Sequence, residues 1–360
     1  MRAPVVTAVA AHVPPAVPLE QWRRIEAQFN ATALTGWARL VYPPWFATYG
    51  LDLQRLTAPP EDVWPVSVQT SAHDIDFVPI EQRRDLSGLA AHVAQAIYPR
   101  RGGEAPQVGV VMFCHSSLNE HVSTTTAGRL CTVIGKPCFP FAVAQQQGAS
   151  VFTALRLASD LLVTEPGLCA ILVVAAEKWC HPLVRNIGGW TVQGDAAGAI
   201  LLERDSPSTR GRGLRLLDTA VQSLGRADAP FGLPASLADT NAAFVPALLC
   251  LIDTLLRRNG VRANEIASVI PHHVNGPLVD AVSRQLGVRR HRRVTDRRAY
   301  LGAAESIVRL AETLDSSRLR HGELVLAWGI GLGGYVSCTL LEAHGTPALC
   351  FTGASPTGES

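Results

Sequence analysis

The chain has 360 residues, enough for one large domain or two fused halves that each bury a core. Apolar residues make up 47% and charged residues 17%, with a mean hydropathy of +0.15, which suits a compact globular enzyme and excludes disorder. Against 32 basic residues stand 30 acidic ones, so the formal net charge of +2 favours neither nucleic acid nor a membrane surface as partner.

The segment from Met1 to Pro15 is mildly apolar but interrupted by Pro4, Pro14 and Pro15, and no signal peptide is expected there. No stretch reaches the roughly 18 apolar residues that a membrane-spanning helix needs. The eight cysteines are scattered, with no CxxC pair. Without a secretion signal they read as reduced thiols of a cytoplasmic protein.

Short apolar runs then alternate with amphipathic helices, the grammar of an α/β protein. Val108 to Phe113 reads as a buried strand, Ser150 to Leu162 as a helix that is apolar on most faces, and Ala170 to Ala176 and Ala196 to Glu203 as further buried strands. The polar, turn-rich segment Ser206 to Gly213 marks a junction. Beyond it the pattern returns: a helix over Phe244 to Asn259, a strand over Ile266 to Pro271, helices over Leu278 to Leu286 and Ile307 to Leu319, and strands over Leu324 to Trp328 and Tyr335 to Glu342. Both parts close on a glycine-rich turn feeding a strand that ends Leu-Leu-Glu, which points to a duplicated α/β unit. The expected organisation is a first half over residues 1–205, a second over 206–345, and a flexible tail over 346–360, where Gly, Pro, Ser and Thr accumulate.

Four segments, taken in order, carry a family resemblance. They are Phe141 to Ser150 (FAVAQQQGAS), Gly194 to Ala199 (GDAAGA), Pro271 to Asn275 (PHHVN) with Leu286-Gly287 behind it, and Tyr300 to Glu305 (YLGAAE) with the later glycine loop Gly329 to Gly334. Together they are similar to ketoacyl-ACP synthase III and its derived acyltransferases, in the thiolase superfamily. The resemblance covers most of the chain from Val108 to Glu342. It implies a thiolase-like fold: two duplicated α/β halves with central mixed sheets in five layers, assembled as a homodimer across sheet edges.

That family sets a cysteine at a strand-to-helix step, where free N–H groups and the helix dipole lower a thiol's pKa and hold an oxyanion. Counting back from Ala154-Leu155 puts the cysteine position at Gly148; counting forward from Phe141 puts it at Gln147; neither supplies a thiol. Ser150 reads as a helix-start residue, with a minor alternative as nucleophile. His272 matches the family's catalytic histidine, Asn275 a loop-supporting residue, and Tyr300 the place where ketoacyl synthases carry an asparagine. The backbone N–H of Gly331 is expected to complete an oxyanion hole with that of Gly148. His273, Gln147, Ser150 and Glu305 are candidate substrate contacts. The cluster Arg289, Arg290, Arg292 and Arg293 reads either as a solvated loop or as a docking patch for an acidic carrier protein or a phosphopantetheine phosphate.

A ketoacyl synthase needs a thiolate, a His and Asn pair, and an oxyanion hole. Loss of thiolate and asparagine argues against condensation through an acyl-enzyme. What remains suits direct transfer of an acyl group from an acyl carrier protein or CoA thioester to a small-molecule hydroxyl or amine, with His272 as general base. Such a reaction fits natural-product, for example antibiotic, biosynthesis. Two rivals stay open: a cysteine-less, non-catalytic subunit of a heterodimer with a ketosynthase-like chain, and a malonyl-thioester decarboxylase with Gln147 in place of cysteine. No metal or bound cofactor is expected: no metal-ligand cluster or nucleotide fingerprint stands out, and the glycine-rich turns precede strands rather than helices, which excludes a dinucleotide fold.

Overall fold

The computed structural model describes residues 3–22, 75–97, 106–117, 125–179, 185–187, 191–225, 237–287 and 297–352. In chain order these form β1 (Val5–His12), β2 (Ala16–Pro18), β3 (Phe77–Pro79), α1 (Leu86–Ile97), β4 (Val108–His115), α2 (Thr126–Ile134), β5 (Phe139–Ala144) and α3 (Ser150–Thr164). There follow β6 (Ala170–Glu177), β7 (Asn186–Ile187), β8 (Thr191–Val192), β9 (Ala196–Glu203), β10 (Leu214–Ser223), α4 (Leu237–Arg258) and β11 (Ile266–Ile270). The chain continues through α5 (Gly276–Gln285), α6 (Glu305–Ser316), β12 (Leu324–Gly331), β13 (Tyr335–Ala343) and β14 (Ala348–Phe351).

The main sheet runs β11-β12-β13-β10-β1-β9-β6-β4-β5, with β14 beside β1. The duplication expected from the two Leu-Leu-Glu strands is visible in this order. In the first half β4, β6, β9 and β1 are neighbours, paired parallel, antiparallel and antiparallel. In the second half β11, β12, β13 and β10 repeat that order and those directions. The two halves join where β1 pairs with β10.

Alternation along the strands sorts the core into layers. On β12, Val325 and Ala327 face a core shared with α3 and α6, whereas Leu326, Trp328 and Ile330 face the core under α4 and α5. Helices α1 and α2 cover the outer face of the first half. The layers are therefore outer helices, sheet, the α3 and α6 pair, sheet, outer helices. Strands β6 and β9, sandwiched on both sides, are buried at all eight positions, which is why they read as unbroken apolar runs.

Three expectations change. The tail does not begin at 346: Ala348–Phe351, the apolar run ALCF, adds a parallel strand to β1 with Cys350 buried against α1, and the rest of the expected tail, 353–360, lies outside the described residues. Not all cysteines are free thiols, since Cys131 and Cys138 form a disulfide across the loop from α2 to β5, which turns through Gly135 in the left-handed conformation. Helix α4 starts earlier than Phe244.

Candidate active site

The site is built where the two halves meet at the N-terminus of the central helix α3. Strand β5 ends at Ala144, and the chain must turn sharply to enter a 3-10 turn, Gln147–Ala149, that leads into α3. Among the described residues, Gln145 (φ 64°) and Gln147 (φ 45°) are the non-glycine residues with positive φ. Such strain costs about 1–3 kcal/mol per residue and persists where the surroundings enforce it.

Gln147 is held at both ends. Its backbone N–H donates to Ser116 Oγ (3.0 Å), and its side-chain Oε1 accepts from the Leu332 N–H (3.0 Å). Gly148, next along, has no room for a side chain: a Cβ there would run into Cε1 and Nε2 of His272 and lie 2.7 Å from the Ile330 carbonyl oxygen. The position reached by counting back from Ala154-Leu155 therefore cannot hold a thiol in this arrangement. Gly331 comes close to the elbow as well: a Cβ there would meet the Gln146 carbonyl. The loop N–H that faces the elbow is that of Leu332, and the Gln147 carboxamide occupies it.

His272 follows β11 and is fully buried. The Ile330 N–H faces its Nδ1 at 3.4 Å, which leaves the ring proton on Nε2, and Nε2 makes no well-aligned hydrogen bond, the Gly302 carbonyl acting on the ring only weakly. Burial is the main influence on its pKa and lowers it to about 4, against the upward pull of the Glu305 carboxylate and the Gly302 carbonyl. At neutral pH the ring is an uncharged donor. His273 is partly buried beside it. Asn275 caps α5, its Oδ1 accepting from the Leu278 N–H at 2.9 Å, so its support of the loop is that of an N-cap.

Tyr300 is fully buried and packs edge-on against His272, with ring centroids 4.9 Å apart. Its hydroxyl has no hydrogen-bond partner. Glu305, a candidate substrate contact, is committed elsewhere. Its Oε1 accepts from Arg309 Nε (2.7 Å) and its Oε2 from the Leu301 N–H (3.1 Å), while Arg298 and Arg309 also pair with Glu312. Burial would raise its pKa, but Arg309 and Arg298 hold it at about 2. Glu305 therefore braces the loop rather than facing a substrate. Ser150 begins α3, buried, with its Oγ unpartnered. Gly194-Asp195 is structural: Asp195 forms a buried pair with Arg185 (2.7 Å) and accepts from the N–H groups of Glu81 and Trp179. Arg289, Arg290, Arg292 and Arg293 lie outside the described residues.

Sequence reasoning missed several contributors. The backbone donors Ile330 and Leu332 leave no side-chain signal. Ser116 sits just past strand β4 and Glu177 ends strand β6, and Glu177 accepts from the N–H groups of Ser116, Ser117 and Ala303. The Glu305-Arg309 spacing, one helical turn apart, was legible as an ion pair. Cys114 and Cys338 are no substitutes for the missing thiol. Burial, chiefly, raises both, Cys338 to about 12.

Residues 256–343 match the family model for the C-terminal part of 3-oxoacyl-[acyl-carrier-protein] synthase III. Ketoacyl-[acyl-carrier-protein] synthase III of Xanthomonas oryzae is 29% identical over 195 residues, a match spanning 49% of this chain and 58% of that protein. The Roseobacter denitrificans synthase III is 24% identical over 270 residues, 69% of this chain and 80% of that one. Among solved structures, the acyltransferase ChlB3 superposes with a TM-score of 0.68 at 20% identity, covering 96% of this chain and 99% of that one. Synthase III (FabH) of Pseudomonas aeruginosa gives 0.67 at 18% identity, covering 95% and 98%. Both superpositions extend over the two halves and the helix pair between them.

Proposed function

We propose that this chain, a ketoacyl-ACP synthase III-like member of the thiolase superfamily and in that broad sense an acyl-transferring enzyme, passes an acyl group from a carrier-protein or CoA thioester directly to an amine or hydroxyl acceptor, without an acyl-enzyme. The observation that carries the reading is Gln147. It stands at the strained elbow, and its carboxamide fills the Leu332 N–H that a cysteine-bound acyl carbonyl would otherwise take.

The chemistry then rests on His272. A neutral ring with its proton on Nε2 donates to a carbonyl oxygen, and that bond strengthens as the oxygen gains charge, worth roughly 100-fold or more in rate. The acceptor nitrogen attacks the carbonyl carbon, and the C=O pair moves to oxygen. The adduct collapses with loss of the thiolate, which takes up the proton the amine gives up. A free amine needs no base before it attacks. A hydroxyl does, and an imidazole titrating at about 4 is a weak base at neutral pH. The donor role for His272 thus replaces the general-base role expected from the sequence, and amines are favoured over hydroxyls. The donor is delivered on a phosphopantetheine arm. A homodimer across the exposed edge of β5 fits the same reading, since Phe139 on that edge is 67% exposed.

One observation favours a second reading. A carboxamide fixed in the Leu332 N–H resembles the acylated form of the elbow, and decarboxylation of a malonyl thioester needs a donor to the enolate oxygen but no base. Intact-mass analysis of acyl- and malonyl-loaded carrier protein, incubated with amines and alcohols, separates the two. Acyl loss that requires an acceptor and His272, with no mass gain on the enzyme, supports direct transfer. Loss of CO2 from the malonyl carrier without any acceptor supports decarboxylation. No change to either carrier points to a non-catalytic subunit, and ping-pong kinetics overturn direct transfer.

A further inference from the structure

We propose that the Tyr300 phenol is a second hydrogen-bond donor to the thioester carbonyl oxygen, sharing it with His272 Nε2; this rests on the direct-transfer reading. Two polar groups, both fully buried, meet beside Gly148. Neither His272 Nε2 nor the Tyr300 hydroxyl makes a well-aligned hydrogen bond, although the Gly302 backbone acts on the ring and the Gly148 backbone on the phenol; the two rings touch edge to face, and a Cβ on Gly148 would meet His272 Nε2. A buried hydroxyl without a partner costs about 1–3 kcal/mol. Two such groups side by side fit a site whose shared acceptor arrives with the substrate.

Tyr300 is also held where it stands. Its backbone N–H donates to the Val192 carbonyl (2.8 Å) and its carbonyl accepts from the Gly194 N–H (2.7 Å). Immediately after it, the Leu301 N–H is fixed by Glu305, itself locked by Arg309. A donor on a clamped backbone needs no reorganisation as charge develops, the condition under which such groups accelerate a reaction most. Burial above all, and then the charges of Glu305 and Glu177, raise the phenol's pKa well above its ordinary value, so the group stays a neutral donor at any working pH. The phenol offers a single proton, so it and Nε2–H together supply two donors for one carbonyl oxygen.

The test compares Tyr300→Phe, which removes only the hydroxyl and keeps the ring against His272, with Tyr300→Asn, which restores a polar donor. Turnover with an amine acceptor is expected to fall about 100-fold in Tyr300→Phe, with KM within about twofold of wild type and an unchanged or higher Tm, and to recover in part in Tyr300→Asn. Tyr300→Phe turnover within about twofold of wild type, while His272→Ala is impaired, overturns the proposal and leaves direct transfer standing. A wild type that transfers to no acceptor sinks direct transfer, and the proposal is then read by binding. Wild type should prefer a CoA ketone analogue, which keeps the carbonyl, over the matching thioether, and Tyr300→Phe should lose about tenfold of that preference. A wild type without the preference, including one that binds neither analogue, overturns it.

Discussion

Replacing Gln147 by cysteine should give the chain an acyl-enzyme that it does not otherwise form. The substitution removes the hydrogen bond from the Leu332 N–H to Oε1 (3.0 Å) and leaves that buried donor bare, a cost of about 1–3 kcal/mol. For a chain of this size each kcal/mol shifts Tm by about 2 °C, so a fall of about 2–6 °C is expected. The backbone strain at φ 45° is shared by both residues and drops out of the difference. In exchange, a thiol stands at the N-terminus of α3, with the Leu332 N–H free to hold a thioester oxygen. Incubation with acyl-CoA and intact-mass analysis should show Gln147→Cys gaining one acyl group, and Gln147→Ala none. Gly148→Cys should stay unmodified and lose stability, because its Cβ would collide with His272 and press on the Ile330 carbonyl, an overpacking cost of about 1–3 kcal/mol or more. Acylation of Gly148→Cys with none on Gln147→Cys would refute the placement of the elbow.

Wild-type turnover, corrected for ionisation of the amine, should be flat from about pH 5.5 to 8, because His272 is neutral down to about 4; a fall with midpoint near 6.5 would return it to the role of base. The same lowered pKa makes the native state bind fewer protons than the unfolded chain between about 4 and 6.5, so stability from this group is complete above 6.5 and lost as pH falls towards 4, by up to about 3 kcal/mol. Urea unfolding at pH 7 and pH 5 should show this loss in wild type and a smaller one in His272→Gln. Glu305→Gln should destabilise the fold by about 3 kcal/mol, read by urea denaturation, because it takes the charge from a buried partner of Arg309. A loss below about 1 kcal/mol would show that Glu312 suffices. Phe139→Asp, on the exposed edge of β5, should convert a dimer to monomer in light scattering; an unchanged mass would place any self-association elsewhere.

The elements most legible in the sequence were those whose burial is complete and whose ends are punctuated. Ala196–Glu203 is an unbroken apolar run between Gly194-Asp195 and Arg204-Asp205, and its limits could be read directly. Val5–His12 is buried at all but one position, yet no strand was read there, because the prolines on either side drew attention only to the question of a signal peptide. At the site, His272 and Tyr300 were legible because side-chain type and spacing carry the resemblance. The choice between Gln147 and Gly148 was not, because it depends on a backbone dihedral and on the distance to a ring 124 residues further along the chain. The donors Ile330 and Leu332 act through N–H groups that every residue but proline has, so no residue letter marks them. The role of Glu305 was misread because its helical partner Arg309 was not weighed with it.

Strand β1 pairs with β9 on one side and with β10 and β14 on the other, and so belongs to both halves at once. The reacting groups are divided in the same way, Gln147 on the first half and His272, Tyr300 and Leu332 on the second. Neither half separated from the other retains a complete site, and the halves cannot part without tearing the strand they share. Opening of the site by that route is therefore tied to loss of the whole fold, and the exchange of the Ile330 and Leu332 amide hydrogens becomes a local clock for global unfolding.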